Sequence, residues 1–237
     1  MTRSAVAPEV IVALDFPEPD EAFRLVERLP AGTWVKVGLE LFTRAGPPVV
    51  ERLVDEGRHV FLDLKLHDIP NTVAGAVRSA ARLGAELLTL HGSGGEAMLH
   101  AAAEAASEAR GPRPLRLLAI TVLTSLDDAA LASVFGSVAG GVEATAGRIA
   151  GLAKESGVDG VVCSVGEARA LRVACGPDFL IVTPGIRLPG DASHDQHRVA
   201  TPAAARAAGA DFLVVGRSIT RASDPAAALA NVRGALD

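Results

Sequence analysis

The sequence predicts one α/β domain over residues 1–237, a (β/α)8 TIM barrel. Three observations predict it. Short apolar runs alternate with helical segments eight times along the chain. The runs are apolar on both faces, as parallel strands clad by helices must be. Charged residues and glycines gather where the runs end, which is where this fold builds its sites.

Val10 to Leu14 is the first strand, ending in Asp15, and Glu18 to Leu29 follows as a helix with Phe23, Val26 and Leu29 on one face. Thr33 to Val37 is the second strand and carries Lys36; Gly38 opens a turn, and Pro47 to Asp55 is the helix. Val60 to Lys65 begins the third unit, with its helix from Thr72 to Leu83. Glu86 to Leu90 leads through His91-Gly92-Ser93-Gly94-Gly95 into the alanine-rich helix Glu96 to Ala109, ordinary cladding for a barrel. Leu115 to Val122 ends at Leu123-Thr124-Ser125, and a connection with room for a short extra helix precedes the amphipathic Val142 to Glu155. Gly160 to Ser164 and Glu167 to Ala174 form the sixth pair. Leu180 to Thr183 is followed by Pro184-Gly185-Ile186-Arg187 and a polar stretch to Ala200, after which Thr201-Pro202 caps Ala203 to Ala208. Asp211 to Val215 is the last strand, ending in Gly216-Arg217, with a final helix from Pro225 to Leu236.

Composition removes several classes of function. A net charge of −5, no basic run and few aromatic residues suggest neither a phosphate-tracking groove nor a base-stacking platform, so nucleic acid is not an expected partner. The apolar run Val10 to Leu14 stops at Asp15, too short for a signal-peptide core, and no run approaches the roughly 20 apolar residues of a membrane span. A cytoplasmic protein is expected, without a membrane partner. Cys163 and Cys175 lack ligand spacing and read as buried thiols.

The stretch Val60 to Thr72, VFLDLKLHDIPNT, departs from the pattern. Side chains alternate along a strand, so Asp63 and Lys65 share one face while Leu62, Leu64 and Leu66 share the other. Asp68 breaks the period at the strand's C-terminal edge. Buried ions are costly unless paired. Two readings fit: a structural ion pair inside the barrel, or a catalytic lysine kept charged by flanking acids that offset its desolvation. Asp15, Lys36, Asp63, Lys65, Thr124, Arg187 and Arg217 all fall at or just beyond strand ends, and Lys36, Asp63, Lys65 and Asp68 would form an alternating network if they meet. The loops after strands seven and eight are the usual barrel phosphate site, and each carries an arginine after a glycine, Arg187 after Gly185 and Arg217 after Gly216. Either arginine alone also reads as a cover for a barrel end. The polar stretch Arg187 to Thr201 has the length and composition of a mobile lid from which Gln196 reaches the ligand. His194 and His197 in it read as solvated rather than metal-binding, and His67 and His91 as structural.

With DLKLHDIPNT, LTS, TPGIR, DQHR and VVGR in this order at barrel strand ends, the chain resembles the orotidine 5'-phosphate decarboxylases of pyrimidine biosynthesis, from Val10 to about Thr220. The resemblance implies decarboxylation of orotidine 5'-phosphate to uridine 5'-phosphate and CO2, with no metal or organic cofactor. It implies that Lys65 is the proton donor and that Asp63 lies near the departing carboxylate. Asp15 and Lys36 would contact the ribose, Thr124 the pyrimidine edge, and Pro184 would border the base. Arg187, Gln196, Gly216 and Arg217 would grip the phosphate. Asp68, Ile69 and Thr72 would cross into the neighbouring site of a homodimer. A sugar-phosphate decarboxylase or aldolase of the same superfamily, with Asp63 and Asp68 as Mg2+ ligands, is the rival; the IPNT continuation and the Thr124-Ser125 turn stand against it. A non-catalytic barrel that binds a phosphorylated ligand is the remaining alternative.

Overall fold

The computed structural model describes residues 7–188 and 200–236. Strands β1 (Glu9–Ala13), β2 (Trp34–Gly38), β3 (His59–Leu66), β4 (Leu87–His91), β5 (Arg116–Ile120), β6 (Gly160–Val162), β7 (Leu180–Thr183) and β8 (Phe212–Val215) pair in parallel, each with the next, and β8 closes on β1. The described helices are α1 (Pro19–Val26), α2 (Leu39–Ala45), α3 (Pro47–Asp55), α4 (Pro70–Arg82), α5 (Glu96–Glu108), α6 (Asp128–Phe135), α7 (Gly141–Glu155), α8 (Val165–Cys175), α9 (Pro202–Ala207), α10 (Arg217–Thr220) and α11 (Pro225–Gly234). This is the expected (β/α)8 barrel.

Strand alternation splits the apolar residues into two cores. Val10, Val12, Val35, Val37, Leu62, Leu88, Leu117 and Leu213 face outward and pack under the helices. Ile11, Trp34, Phe61, Leu87, Leu118, Leu180, Val182 and Phe212 face inward and fill the barrel's lower part. At its N-terminal end Trp34 stacks on His59 with ring centroids 4.8 Å apart, and Glu86 accepts from His59 at 2.7 Å and from Arg113 at 2.5 Å. Arg58, buried beside them, donates to the carbonyls of Val26, Leu29 and Pro30. Side chains thus fill the N-terminal end of the barrel, and the cavity that carries the charged residues lies toward the strands' C-terminal ends.

Several boundaries differ from expectation for local reasons. Pro70 is the first residue of α4, two residues ahead of the expected start, because its ring presets a helical φ and its missing N–H costs nothing there. After Gly38 the chain forms α2 instead of a turn; Leu41 is its one buried residue, and Gly46 with φ +66° ends it just before Pro47 opens α3. The β5 connection does contain a helix, α6, capped by the Asp127 carboxylate accepting from the Ala130 N–H at 2.8 Å. Gly216-Arg217 does not simply end a strand but opens α10, a single turn. Thr201 caps α9 as expected, its hydroxyl accepting from the Ala204 N–H at 3.2 Å. Cys163 and Cys175 are buried and form no disulfide. No described helix is long and apolar enough to cross a membrane.

Candidate active site

At the C-terminal end of the barrel lies a cavity of about 660 Å³. Its floor is the top of the inner core: Ala13, Phe61, Ile120, Val162 and Val214. Above that apolar floor its wall carries Asp15, Lys36, Asp63, Lys65, Thr124, Arg187 and Arg217, all seven of the strand-end positions singled out in the sequence, and also Pro184 and Gly216. The outward faces of β3 agree as well, since Leu62, Leu64 and Leu66 pack into the outer core while Asp63 and Lys65 face the cavity.

The charges form a chain across three strands. Asp15 follows β1, held beside β2 by the Leu14 N–H donating to the Lys36 carbonyl at 2.9 Å. Lys36 Nζ donates to Asp15 Oδ1 at 2.9 Å and lies 3.5 Å from Asp63 Oδ2. Lys65 Nζ donates to the other oxygen, Oδ1 of Asp63, at 2.8 Å. Gly38 sits beside Asp63 in the β2–β3 register, and a Cβ there would come within 3.0 Å of Lys36 Nζ, so a glycine leaves the ammonium its place. Burial alone pushes the Asp63 carboxyl up; the ammonium groups of Lys36 and Lys65, with hydrogen bonds from Lys65 and Thr89, outweigh it and hold the carboxyl below its ordinary value. Burial likewise pushes Lys36 down, and the carboxylates of Asp63 and Asp15 more than reverse it, so Lys36 stays cationic well into the alkaline range.

Lys65 is the one non-glycine residue with a positive φ, 51°, among the described residues. A side chain in that region costs of order 1–3 kcal/mol and persists where the surroundings enforce it. The enforcing feature is a slip between β3 and β4, which pair Leu62 with Leu88 and Leu66 with Leu90. The strand expected to be regular up to Lys65 thus continues to Leu66 but slips in register against β4 around Lys65.

The second half of the wall comes from the loops after β7 and β8. Ile186 bridges Ala200; the Arg187 N–H donates to the Ala200 carbonyl at 2.9 Å, and the Ala200 N–H to the Gly185 carbonyl at 3.1 Å. These bonds anchor Gly185 and Arg187 next to Gly216 and Arg217 on the same cavity. Gln196, His194, His197 and the expected lid lie outside the described residues.

The three residues expected to cross into a partner's site do not line this chain's own cavity. Asp68, Ile69 and Thr72 are exposed, Ile69 to 67%, and Asp68 Oδ1 accepts its neighbour's N–H, that of Ile69, at 2.6 Å. Asp68 therefore does not join the network of Lys36, Asp63 and Lys65 within one chain, because the turn before α4 carries it outward. His67 and His91 lie against each other, ring centroids 5.2 Å apart, and do not line the cavity. Burial, then the neighbouring His67 and Lys65, pushes the His91 imidazole down.

Sequence reasoning missed Thr89, Glu21 and Arg221. Thr89 is buried and donates to Asp63 Oδ1 at 2.9 Å; its signal is a single hydroxyl interrupting the apolar run of LLTLH. Arg221 lines the cavity one helical turn after Arg217, a spacing legible in RSITR once that segment is known to be helical. Glu21 lines the mouth from α1, and nothing in the sequence marks it.

Among the described residues no group of three or more His, Cys, Asp or Glu side chains is placed to hold a metal ion. What the cavity can do is bind an anionic ligand at one end and present an ammonium, flanked by a carboxylate, over an apolar floor at the other.

Comparison with known proteins gives this arrangement a family. The model of the orotidine 5'-phosphate decarboxylase / HUMPS family matches residues 8–232. An orotidine 5'-phosphate decarboxylase from Halorhodospira halophila is 55% identical over 226 residues, covering 95% of this chain and 94% of that one. One from Moorella thermoacetica is 51% identical over 233 residues, covering 96% and 92%. The crystal structure of orotidine 5'-phosphate decarboxylase from Lactobacillus acidophilus superposes with a TM-score of 0.87 at 38% identity, covering 98% of this chain and 100% of that one. The chain belongs to the orotidine 5'-phosphate decarboxylase / HUMPS family.

Proposed function

We propose that this protein decarboxylates orotidine 5'-phosphate to uridine 5'-phosphate and CO2 in pyrimidine biosynthesis, in the cytoplasm and without a cofactor. The observation that carries the reading is the row Lys36, Asp63, Lys65 on one wall of a cavity whose opposite loops bring Arg187 and Arg217. The relatives named for this activity, at 51% and 55% identity, support it over the sugar-phosphate rival.

Loss of CO2 leaves an electron pair on a pyrimidine ring carbon with no carbonyl placed to spread it as an enolate. Lys65 Nζ supplies a fixed positive charge there, then its proton. Asp63 holds that ammonium in place from one oxygen and sits beside the substrate carboxylate. Lys36 and Asp15 take the ribose hydroxyls, Thr124 reads the pyrimidine edge, and Pro184 borders the ring. Arg187, Gln196, Gly216 and Arg217 hold the phosphate, with paired charge-assisted hydrogen bonds from the guanidiniums. Enzymes lower barriers by about 8–23 kcal/mol, and binding energy from the remote phosphate serves to align the charged wall with the reacting carbon. In a homodimer, Asp68, Ile69 and Thr72, which face away from their own chain's cavity, complete the neighbouring site.

The test is loss of orotate absorbance on incubating purified protein with orotidine 5'-phosphate, with and without EDTA. Turnover indifferent to EDTA is expected. A strict Mg2+ requirement would favour the sugar-phosphate rival, and nucleotide affinity without turnover a non-catalytic barrel.

A further inference from the structure

Between the pairs Leu62 with Leu88 and Leu66 with Leu90, β3 passes through Asp63, Leu64 and Lys65 while β4 passes through Thr89 alone. Thr89 is 0% exposed and does not line the cavity. Its hydroxyl accepts the backbone N–H of Lys65 at 2.9 Å and donates to Asp63 Oδ1 at 2.9 Å. A hydroxyl has one hydrogen to give and lone pairs to receive with, so both bonds form together. The same Oδ1 accepts the Lys65 ammonium at 2.8 Å. Main chain, hydroxyl, carboxylate and ammonium thus close into a ring through the two ends of one lysine.

That ring answers a local problem. At the slip, with φ at 51°, the Lys65 N–H has left the ordinary ladder between β3 and β4 and needs another acceptor in a partly buried place. A valine at position 89 has the same shape and offers none. It also leaves Asp63 with one donor fewer.

We propose that Thr89 is a positioning residue for the reaction, locking the strained backbone of Lys65 and the Asp63 carboxylate so that the ammonium stands at one height above the cavity floor. The proposal rests on Lys65 being the proton donor. Small displacements of a reacting group cost heavily: about 1 Å is worth about 100-fold in rate.

The test is steady-state kinetics on orotidine 5'-phosphate with Thr89→Val, Thr89→Cys and Thr89→Ser beside Lys65→Ala. Valine and cysteine are expected to lower kcat about 10- to 100-fold with KM within about threefold, and serine to recover kcat to within about fivefold of the unaltered protein. Full kcat in the valine and cysteine variants, with Lys65→Ala inactive, would overturn the positioning role and leave the donor role standing. Serine failing as badly as valine, or KM rising with kcat unchanged, would overturn it too. An active Lys65→Ala variant would remove the donor role and this proposal together. If the valine variant does not fold, serine against cysteine decides, since both are small enough for the site.

Discussion

Lys65 Nζ reaches Oδ1 of Asp63 at 2.8 Å from only two positions further along the same strand. Same-face neighbours on a regular strand stand about 6.6 Å apart at Cα, each pointing away from the sheet. Here the left-handed φ of Lys65 and the slip against β4 bend the chain at that residue, and a long side chain folds back onto a short one. The acid is thereby committed to the lysine, on one oxygen, while its second oxygen faces Lys36 at 3.5 Å.

If that ammonium is the donor, Lys65→Ala should lower kcat by at least about 1,000-fold, the combined scale of general-acid and electrostatic contributions. Affinity for uridine 5'-phosphate, measured by calorimetry, should change only severalfold. Near-normal turnover would rule out the donor role.

Arg217→Ala should raise KM for orotidine 5'-phosphate by about 10- to 100-fold, matching a lost charged hydrogen bond of about 1.5–3 kcal/mol. Affinity for the unphosphorylated nucleoside should stay nearly constant in the same assay. Equal losses for both ligands would argue that Arg217 does not grip the phosphate.

Lys65→Ala and Asp68→Ala chains, each inactive alone, should regain activity when mixed under conditions that exchange subunits. A shared site then has one intact copy in every mixed dimer, or about a quarter of all sites after random reassortment in a twofold dimer. No recovery, with mixed dimers demonstrated by mass spectrometry, would mean that Asp68 serves its own chain.

The Asp63 carboxyl is held below its ordinary value of 3.8, so its charged form stabilises the fold above that pH and the contribution fades as pH falls through the lower folded value. Lys36 behaves oppositely: its raised value keeps its contribution intact below 10.5 and loses it above. Thermal melts of Asp63→Asn against the unaltered protein should differ most at neutral pH and converge in strong acid. A gap that widens on acidification would contradict the ion-pair account.

Element order, the closed barrel and the cavity wall were legible because each rests on local pattern. Apolar runs of strand length, proline and glycine punctuation, and charges at run ends are properties of neighbours in the chain. What escaped was set either by pairing between strands or by short turns whose course the pattern does not give. Thr89 matters only because β4 meets β3 out of register, and Arg221 only because α10 turns it back toward Arg217. Asp68 looked like a fourth member of the charge network because it is close in sequence to Lys65; the turn into α4 sends it out of its own cavity.

By itself the sequence determined the fold class and which side chains would stand at the barrel's C-terminal edge, since a period of two along each strand assigns inside and outside without reference to any partner. Only the tertiary structure decided how those side chains bond to one another. Lys65's inverted backbone, the hydroxyl that receives its N–H, and the separate oxygens of Asp63 allotted to two lysines arise from the register between adjacent strands, a relation that hydrophobic periodicity within either strand does not contain.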